Sequence, residues 1–273
     1  MSHSDAIALR DIADAAARKA GVLALDHYAQ DVEAWQKGDK TPVTKTDLAV
    51  DKMLREDLTG ARSDFGWLSE ETHDDLTRLD KRDVWIVDPI DGTRAFVKGK
   101  PEWVIAIAAV RHGKPVAAVI FNPVTDELFD AAAGQGARLN GAPIHVSSRT
   151  ELEGCRMLAY ADMFARPEWP DPWPPMQVDQ RNAIAYRMAL VACGAFDAML
   201  TLNLKSEWDI AAGALIAQEA GGLVTNHHGE PLTFNHPEGH GHNLICAGPM
   251  VHKAILDRVS FIPVERIRGT SSN

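Results

Sequence analysis

A short segment at residues 85–93 joins an apolar run to two closely spaced aspartates, and it constrains the fold more than any other part of the chain. It reads Trp-Ile-Val-Asp-Pro-Ile-Asp-Gly-Thr. Pro89 fixes one backbone dihedral after the strand-like run, so we expect a turn. That turn would aim the carboxylates of Asp88 and Asp91 and the carbonyl of Ile90 into one small volume. Because hard divalent cations prefer several oxygen ligands close together, the segment is a candidate metal site.

The end of the same segment is a candidate phosphate-binding element. Gly92 and Thr93 stand where a helix is predicted to begin, so their backbone N–H groups would face an anion. Asp and Gly also favour turns for purely local reasons, and the motif alone leaves both interpretations open. The chain has no Gly-x-x-x-x-Gly-Lys-Ser/Thr loop, which excludes a P-loop protein. The spacing of the two aspartates favours shared metal binding over a covalent aspartyl-phosphate.

Three other acidic segments accompany this one along the chain. They are Thr41–Asp47, Phe65–Thr72 with its Glu-Glu pair, and Ser206–Gly213 with its Trp-Asp pair. In this order, the four segments resemble those with which the inositol monophosphatase family holds metal. The resemblance runs from about residue 42 to residue 222. It implies a metal-dependent phosphoric monoester hydrolase that acts on a small phosphorylated substrate.

The resemblance implies a role for each of these residues. The implied metal ligands are Glu70, Asp88, Ile90 through its carbonyl, Asp91 and Asp209. Glu70 and Thr93 would orient the attacking water, and Asp47 would position and polarise Thr93; these three are the predicted catalytic residues. Gly92 and Thr93 are the implied phosphate contacts. Glu71 is expected to support its neighbour rather than to bind metal.

The chemistry of a phosphate monoester explains why such a site needs metal. The dianion repels nucleophiles, and we expect two or three Mg²⁺ ions to neutralise it and to lower the pKa of a bound water. Clustered carboxylates without a cation repel one another, which raises their pKa values. Oxygen ligands without Cys or His favour Mg²⁺ over Zn²⁺. The resemblance also implies inhibition by lithium.

Apolar periodicity predicts alternating helices and strands, and hence an α/β fold. The predicted helices are 6–28, 46–58, 183–193 and 208–220, and the predicted strands are 84–87, 103–110, 116–121, 128–132 and 156–160. A hairpin is expected at Arg111–Lys114 and a turn at Asn140-Gly141. The resemblance implies a layered α/β/α/β/α sandwich, similar to fructose-1,6-bisphosphatase and inositol monophosphatase. We expect an N-terminal half (1–148) that carries most of the metal site and a C-terminal half (149–273) that supplies Asp209 and substrate contacts.

Composition limits the partners. A formal net charge of −10 argues against polymeric nucleic acid, which needs a basic surface. The longest apolar stretch, Trp103–Val110, is too short to span a bilayer, and no secretory signal is recognisable. Three widely spaced cysteines form neither a metal motif nor a disulfide framework. We therefore expect a cytoplasmic protein without a membrane partner, and the resemblance implies a homodimer.

Eleven histidines invite a search for a second metal site. Those that cluster late in the chain are His227, His228, His236, His240 and His242. They lie among Gly, Pro and Asn residues without helical or strand spacing. We therefore predict loop histidines without partners rather than a transition-metal site, because a His-rich tract is only a compositional signal.

The substrate stays open between three monoesters. Inositol monophosphatases often carry Gly-Ser-Ala where this chain has Asn182–Ile184, which weakens the match to an inositol monophosphate. The segments Thr41–Thr44, Trp67–Glu71 and Thr93–Phe96 resemble equally the bacterial 3′(2′),5′-bisphosphate nucleotidase branch, which acts on 3′-phosphoadenosine 5′-phosphate. Histidinol-phosphate phosphatase is a further relative. Lys205 either contacts a substrate phosphate or hydroxyl, or is a surface lysine.

Two further alternatives accompany the enzyme hypothesis. The Pro- and Trp-rich segment 165–175 either forms a rim over the pocket or anchors the chain by hydrophobic contact.

The alternative to an enzyme is a binding or regulatory protein that kept this fold without catalysis. It would have to retain every expected ligand together with Thr93, and loss of even one would have favoured it.

Overall fold

The computed structural model describes residues 3–28, 34–36, 42–167 and 169–263. Thr41 and Glu168, which belong to two of the segments discussed above, lie outside the described residues. The helices are α1 (His3–Leu25), α2 (Lys45–Ala61), α3 (Thr93–Val97), α4 (Ile184–Ala192), α5 (Glu207–Glu219) and α6 (Pro249–Val259). The strands of the first half are β1 (Ala34–Gln36), β2 (Pro42–Thr44), β3 (Gly66–Ser69), β4 (Asp83–Asp91), β5 (Val104–Arg111), β6 (Lys114–Asn122), β7 (Glu127–Ala132), β8 (Ala137–Leu139) and β9 (Ala142–Ile144). Those of the second half are β10 (Arg156–Leu158), β11 (Gln177–Asp179), β12 (Ala198–Ser206), β13 (Leu223–Thr225) and β14 (His240–Ala247).

The strands form two large sheets and one small one. A seven-stranded sheet has the order β3-β4-β5-β6-β7-β8-β9 and is antiparallel except for the parallel pair β3 and β4. A five-stranded mixed sheet has the order β11-β10-β12-β14-β13. Strands β1 and β2 form a separate antiparallel pair. The seven-stranded sheet thus ends before residue 148 and the five-stranded sheet begins after it; a division into two halves there stays a prediction.

Three hydrophobic clusters produce the layers. Successive side chains of a strand point to opposite faces of its sheet, and β4 shows this clearly. Trp85 lies in a cluster with α1 and α2, whereas Ile86 lies in a cluster with α4 and α5. A third cluster joins the five-stranded sheet to α6. The order helices, sheet, helices, sheet, helix is the layered α/β/α/β/α sandwich that the family resemblance implied, and the fold class is confirmed.

Each predicted helix and strand overlaps an observed one, and both predicted turns are present. His112 and Gly113 join β5 to β6 with φ of 48° and 74°, and Asn140 and Gly141 join β8 to β9 with φ of 49° and 81°. Strands β12 and β14 and helix α6 were not predicted. Among the described helices, none is long and apolar enough to cross a lipid bilayer.

The predicted turn after residue 87 is wrong. Strand β4 continues through the motif to Asp91, and all nine of its residues are buried. Its pairing with β5 is irregular there, since Asp88 lies opposite Ala106 and Asp91 lies opposite Val104. Pro89 has no N–H to donate to a neighbouring strand, so an interrupted ladder is the expected result. The strand therefore bends at the motif instead of ending there.

Candidate metal and phosphate site

Three aspartates from distant parts of the chain meet at one point. Asp88 and Asp91 come from the end of β4, and Asp209 comes from the first turn of α5. One carboxylate oxygen from each lies within 4.8 Å of the others. Asp88 and Asp91 are 1% and 6% exposed, and Asp209 is half-buried. The structure thus brings together three of the five predicted metal ligands as side chains that could share one cation.

The carboxylates of this cluster carry like charges and repel one another. Burial, followed by repulsion from Glu70 and Asp91, raises the pKa of Asp88 well above its ordinary value. Burial and the charge of Asp209 raise the pKa of Asp91 to about 8. Burial and Glu70 raise the pKa of Asp209 to about 6, although Lys205 acts in the opposite direction. A divalent cation would remove this penalty, and the oxygen-only donor set suits a hard ion such as Mg²⁺.

A capping box fixes Asp209 at the start of α5. Ser206 precedes the helix, and its backbone N–H donates to Asp209 Oδ2 at 3.0 Å. The pattern Ser-x-x-Asp is a known way to close a helix N-terminus. Because one oxygen of Asp209 is held by the cap, the carboxylate has a defined position even without a ligand.

The N-terminus of α4 holds Asp91. Asp91 Oδ2 accepts a hydrogen bond from the backbone N–H of Ala185 at 2.6 Å. This bond, with one from Ile184, lowers the pKa of Asp91 against the effect of burial. The residue before the helix, Ala183, has a φ of 58°, which a residue with a Cβ rarely adopts. Ile184 belongs to the stretch Asn182–Ile184, which stands where inositol monophosphatases often carry Gly-Ser-Ala. Through Ile184, this stretch contacts Asp91, one of the candidate metal ligands.

Asp47 and Thr93 contact each other, as the resemblance implies. Thr93 Oγ1 lies 3.2 Å from Asp47 Oδ1 and 3.1 Å from the Ile90 carbonyl oxygen. The other oxygen of Asp47 accepts hydrogen bonds from the hydroxyl and the backbone N–H of Thr44, the latter at 2.9 Å. Burial raises the pKa of Asp47, and the charge of Glu70 adds to that effect. Asp47 therefore holds Thr93 from inside the protein.

The glutamate pair follows β3 and lies beside the end of β4. The Glu70 backbone N–H donates to the Val87 carbonyl at 3.4 Å. The Glu70 side chain is half-buried and is not part of the group of three aspartates within 4.8 Å, yet its charge acts on Asp88 and Asp209. The charge of Glu71 also contributes to the raised pKa of Asp88, and its supporting role stays a prediction.

The remaining predicted contacts lie at the edge of the cluster. Gly92 precedes α3 with a φ of 98°, and a Cβ there would lie 2.8 Å from the Glu102 carbonyl oxygen. Only glycine fits both conditions. Lys205 is half-buried near the end of β12, and its charge acts on Asp209. Whether it contacts the substrate stays a prediction.

Sequence reasoning missed one residue that organises the glutamate segment. Asp51 is 7% exposed on α2, and its two carboxylate oxygens accept hydrogen bonds from the hydroxyls of Ser69 and Thr72, each at 2.5 Å. These partners stand on either side of the Glu70-Glu71 pair. The available signal was the spacing, because a residue four positions after Asp47 shares its helix face.

The prediction that the late histidines have no partners is wrong. His227 is buried, and its Nδ1 lies 2.9 Å from the side-chain oxygen of Asn243. His236 Nε2 contacts both oxygens of Thr233. His242 lies on β14, inside a strand that the Gly and Asn content concealed. Side chains that fold back onto their own loop cannot be recognised by sequence spacing.

The Pro- and Trp-rich segment anchors the second half. Trp169 and Trp173 pack against the third hydrophobic cluster and meet each other edge to face, with ring centroids 5.4 Å apart. The indole N–H of Trp169 donates to the Met163 carbonyl at 2.6 Å. These contacts support the hydrophobic-anchor interpretation of the segment.

The chain is similar in sequence to known proteins. The sequence matches the inositol monophosphatase family over residues 7–262. It is 32% identical over 261 residues to Nus factor SuhB of Escherichia coli K12, covering 90% of this chain and 93% of that protein. It is 32% identical over 238 residues to inositol-1-monophosphatase of Rhizobium meliloti, covering 84% and 86%.

Solved structures show the same fold. The extragenic suppressor protein SuhB of Bartonella henselae superimposes with a TM-score of 0.80 at 29% identity, covering 93% of this chain and 99% of that one. The Thermotoga maritima IMPase superimposes with a TM-score of 0.79 at 28% identity, covering 96% and 98%.

Proposed function

This chain belongs to the inositol monophosphatase family and is a phosphatase, and we propose that it hydrolyses a small phosphate monoester with Mg²⁺ as its cofactor. The observation that carries the proposal is the meeting of Asp88, Asp91 and Asp209 within 4.8 Å. Buried carboxylates that raise one another's pKa values are costly to keep without a cation. Glu70 and the Ile90 carbonyl complete the proposed ligand set for two or three ions.

Bound at these carboxylates, Mg²⁺ would supply the positive charge that neutralises the phosphate dianion and favours deprotonation of water. The protein's own groups do the positioning. Thr93 Oγ1 donates its hydrogen to Asp47 Oδ1, so its lone pairs are free to accept from an attacking water. The Glu70 carboxylate receives the proton of that water. Gly92 and Thr93 offer backbone N–H groups to the phosphate oxygens.

The proposed substrate is an inositol monophosphate-like ester, in line with the name of the Rhizobium meliloti relative. The alternatives are 3′-phosphoadenosine 5′-phosphate, as for a 3′(2′),5′-bisphosphate nucleotidase, and histidinol phosphate. Lys205 is the proposed contact for a second phosphate or a hydroxyl, because it is half-buried and its positive charge acts on Asp209 in the cluster. Inhibition by lithium, a homodimer and a cytoplasmic location belong to the same proposal.

The test is phosphate release with Mg²⁺ from inositol 1-phosphate, 3′-phosphoadenosine 5′-phosphate and histidinol phosphate, measured side by side. We expect turnover of the inositol ester to be fastest. Preference for the nucleotide would assign the pocket to the nucleotidase branch. Several relatives are named Nus factors, and a purely regulatory protein of this fold would be stabilised by Mg²⁺ against heat without releasing phosphate from any ester.

A further inference from the structure

A second group of metal-ligating side chains lies beside α5. It consists of Glu207, His236 and His242, whose ligand atoms lie within 4.8 Å of one another. Glu207 is only two residues before Asp209. Helix residues two positions apart point in different directions, so Glu207 and Asp209 face different sites. The group therefore has no part in the proposed phosphatase mechanism.

His236 is oriented as a metal-binding histidine would be. Its Nε2 lies 2.9 Å from the Thr233 hydroxyl oxygen, which can accept or donate a hydrogen bond, and 3.1 Å from the Thr233 carbonyl oxygen, which can only accept one. The neutral ring that satisfies this carbonyl carries its proton on Nε2 and leaves a lone pair on Nδ1. A histidine whose second ring nitrogen donates to a backbone carbonyl is the common arrangement around bound metals.

His242 has an unused nitrogen inside the protein. Its Nε2 is buried and has no hydrogen-bond partner among the residues that the structure describes. Buried polar atoms without partners are uncommon, and each calls for an explanation such as a missing ion or water. Burial also lowers the pKa of His242, so the ring is neutral and can offer a lone pair.

Glu207 contributes a carboxylate that still has free acceptor capacity. It is fully buried, and its two oxygens accept hydrogen bonds from the backbone N–H groups of Asn235 and His236, at 2.6 and 2.8 Å. Each oxygen has a second lone pair. The nearby guanidinium of Arg78 forms an ion pair with Asp74 at 2.8 Å, which offsets its positive charge.

We propose that Glu207, His236 and His242 bind one divalent transition-metal ion, with Zn²⁺ the best match, and that this ion ties the loop before β14 and the start of that strand to the first turn of α5. Two imidazoles and one carboxylate form a ligand set typical of Zn²⁺, with a water in the fourth position. Imidazole ligands favour Zn²⁺ and related transition-metal ions, whereas the oxygen-only aspartate cluster favours Mg²⁺. The two sites thus select different ions.

The experiment is calorimetric titration of the chelator-treated full chain with Zn²⁺ in the presence of excess Mg²⁺, which occupies the aspartate cluster. We expect one tight Zn²⁺ per chain. His242→Ala and the more conservative His242→Gln should each weaken binding by at least about tenfold, since each removes a direct ligand. The matched control is His228→Ala, which removes a histidine outside the group and should titrate like the wild type.

Asp91→Asn separates the two sites. It should lose phosphate release and keep the tight Zn²⁺, so a failure of the proposed phosphatase activity and a failure of this site are distinguishable. Co²⁺ substitution gives a second readout, because visible absorption bands would report imidazole ligation in the wild type and be lost in both His242 variants. The proposal is overturned if no tight Zn²⁺ is found, if His242→Gln binds as the wild type does, or if Asp91→Asn abolishes the binding.

Discussion

Asp91 and Ala185 lie 94 positions apart in sequence and are joined by a hydrogen bond of 2.6 Å from the Ala185 backbone N–H to Asp91 Oδ2. One partner ends a strand of the seven-stranded sheet, and the other begins a helix of the second half. The candidate metal site is therefore built from the end of β4 and the first turns of α4 and α5. Its geometry depends on how α4 and α5 pack, and not on the aspartate motif alone.

Stability without metal should depend on pH in a way that Mg²⁺ reverses. The pKa of Asp91 is raised to about 8 and that of Asp209 to about 6, against ordinary values of about 3.9 in an unfolded chain. Between these limits the folded protein binds more protons than the unfolded chain. Its free energy of unfolding should then fall as pH rises from about 4 to about 8. Urea unfolding at pH 5 and pH 7.5 measures this slope.

The same two unfolding curves in excess Mg²⁺ are the control. A bound cation keeps the carboxylates ionised, so the loss of stability toward pH 7.5 should disappear. An identical pH slope with and without Mg²⁺ would show that the aspartates do not bind the ion.

Gly92→Ala should damage both folding and catalysis. Its φ of 98° is costly for a residue with a Cβ, and the new atom would lie 2.8 Å from the Glu102 carbonyl oxygen. We expect a loss of about 1–2 kcal/mol in the free energy of unfolding from the backbone conformation alone, plus a displaced Thr93. Chemical denaturation and kcat should both change.

Gly141→Ala is the matched control for that substitution. Gly141 also has a positive φ, of 81°, but nothing lies within 4 Å of the position a Cβ would take. It should cost only the backbone strain and leave kcat unchanged. Equal kcat values for the two variants would remove the argument that Gly92 positions the phosphate-binding backbone.

Asp51→Asn should weaken the site without touching a proposed ligand. Asp51 accepts hydrogen bonds from Ser69 and Thr72, which flank the Glu70-Glu71 pair. Asn can accept on only one side-chain atom, so one flank is released. We expect the Mg²⁺ concentration for half-maximal activity to rise several-fold, more than KM for the substrate does. Restoration of the metal dependence in Asp51→Glu would support a positioning role.

Asp57→Asn is the matched control on the same helix. It tests whether the loss of any one carboxylate from α2 raises the Mg²⁺ concentration needed for half-maximal activity. Asp57 forms a partly exposed ion pair with Lys19 at 2.7 Å. Such pairs contribute little, so its Mg²⁺ dependence should equal that of the wild type. If Asp51→Asn behaves as Asp57→Asn does, the positioning role is wrong.

Strand–helix alternation predicted an α/β fold, and the local motif predicted that Asp88 and Asp91 lie together. The resemblance to the inositol monophosphatase family implied the layered arrangement and the participation of Asp209. Sequence reasoning failed where long-range contacts decide. Pro89 locally predicts a turn, because proline interrupts regular strand pairing. The strand continues through Asp88 and Asp91 because β5 pairs with it on both sides of the irregularity. The contact of Ala185 with Asp91 depends on a helix terminus from the other half, which no local pattern encodes.

The buried acids and histidines illustrate the same limit. Asp51 resembles an ordinary helix-surface residue until Ser69 and Thr72 are placed against it. The sequence predicts a loop at His242, because the strand that contains it, β14, has few β-branched residues. The hydrogen-bond partners of Asp51 lie 18 and 21 positions away along the chain, beyond the reach of a local pattern.

The most direct test of the account is Mg²⁺-dependent phosphate release by the wild type and by Asp209→Asn at equal folded concentration. Asp209 is the ligand candidate from α5, so its loss should break a site that the end of β4 cannot form alone. We predict that kcat falls by at least about a hundredfold, as it does in enzymes that lose one group stabilising the charge of the transition state. The circular dichroism spectrum should stay unchanged. Wild-type turnover by Asp209→Asn would contradict the assignment of the three-aspartate cluster as the catalytic metal site.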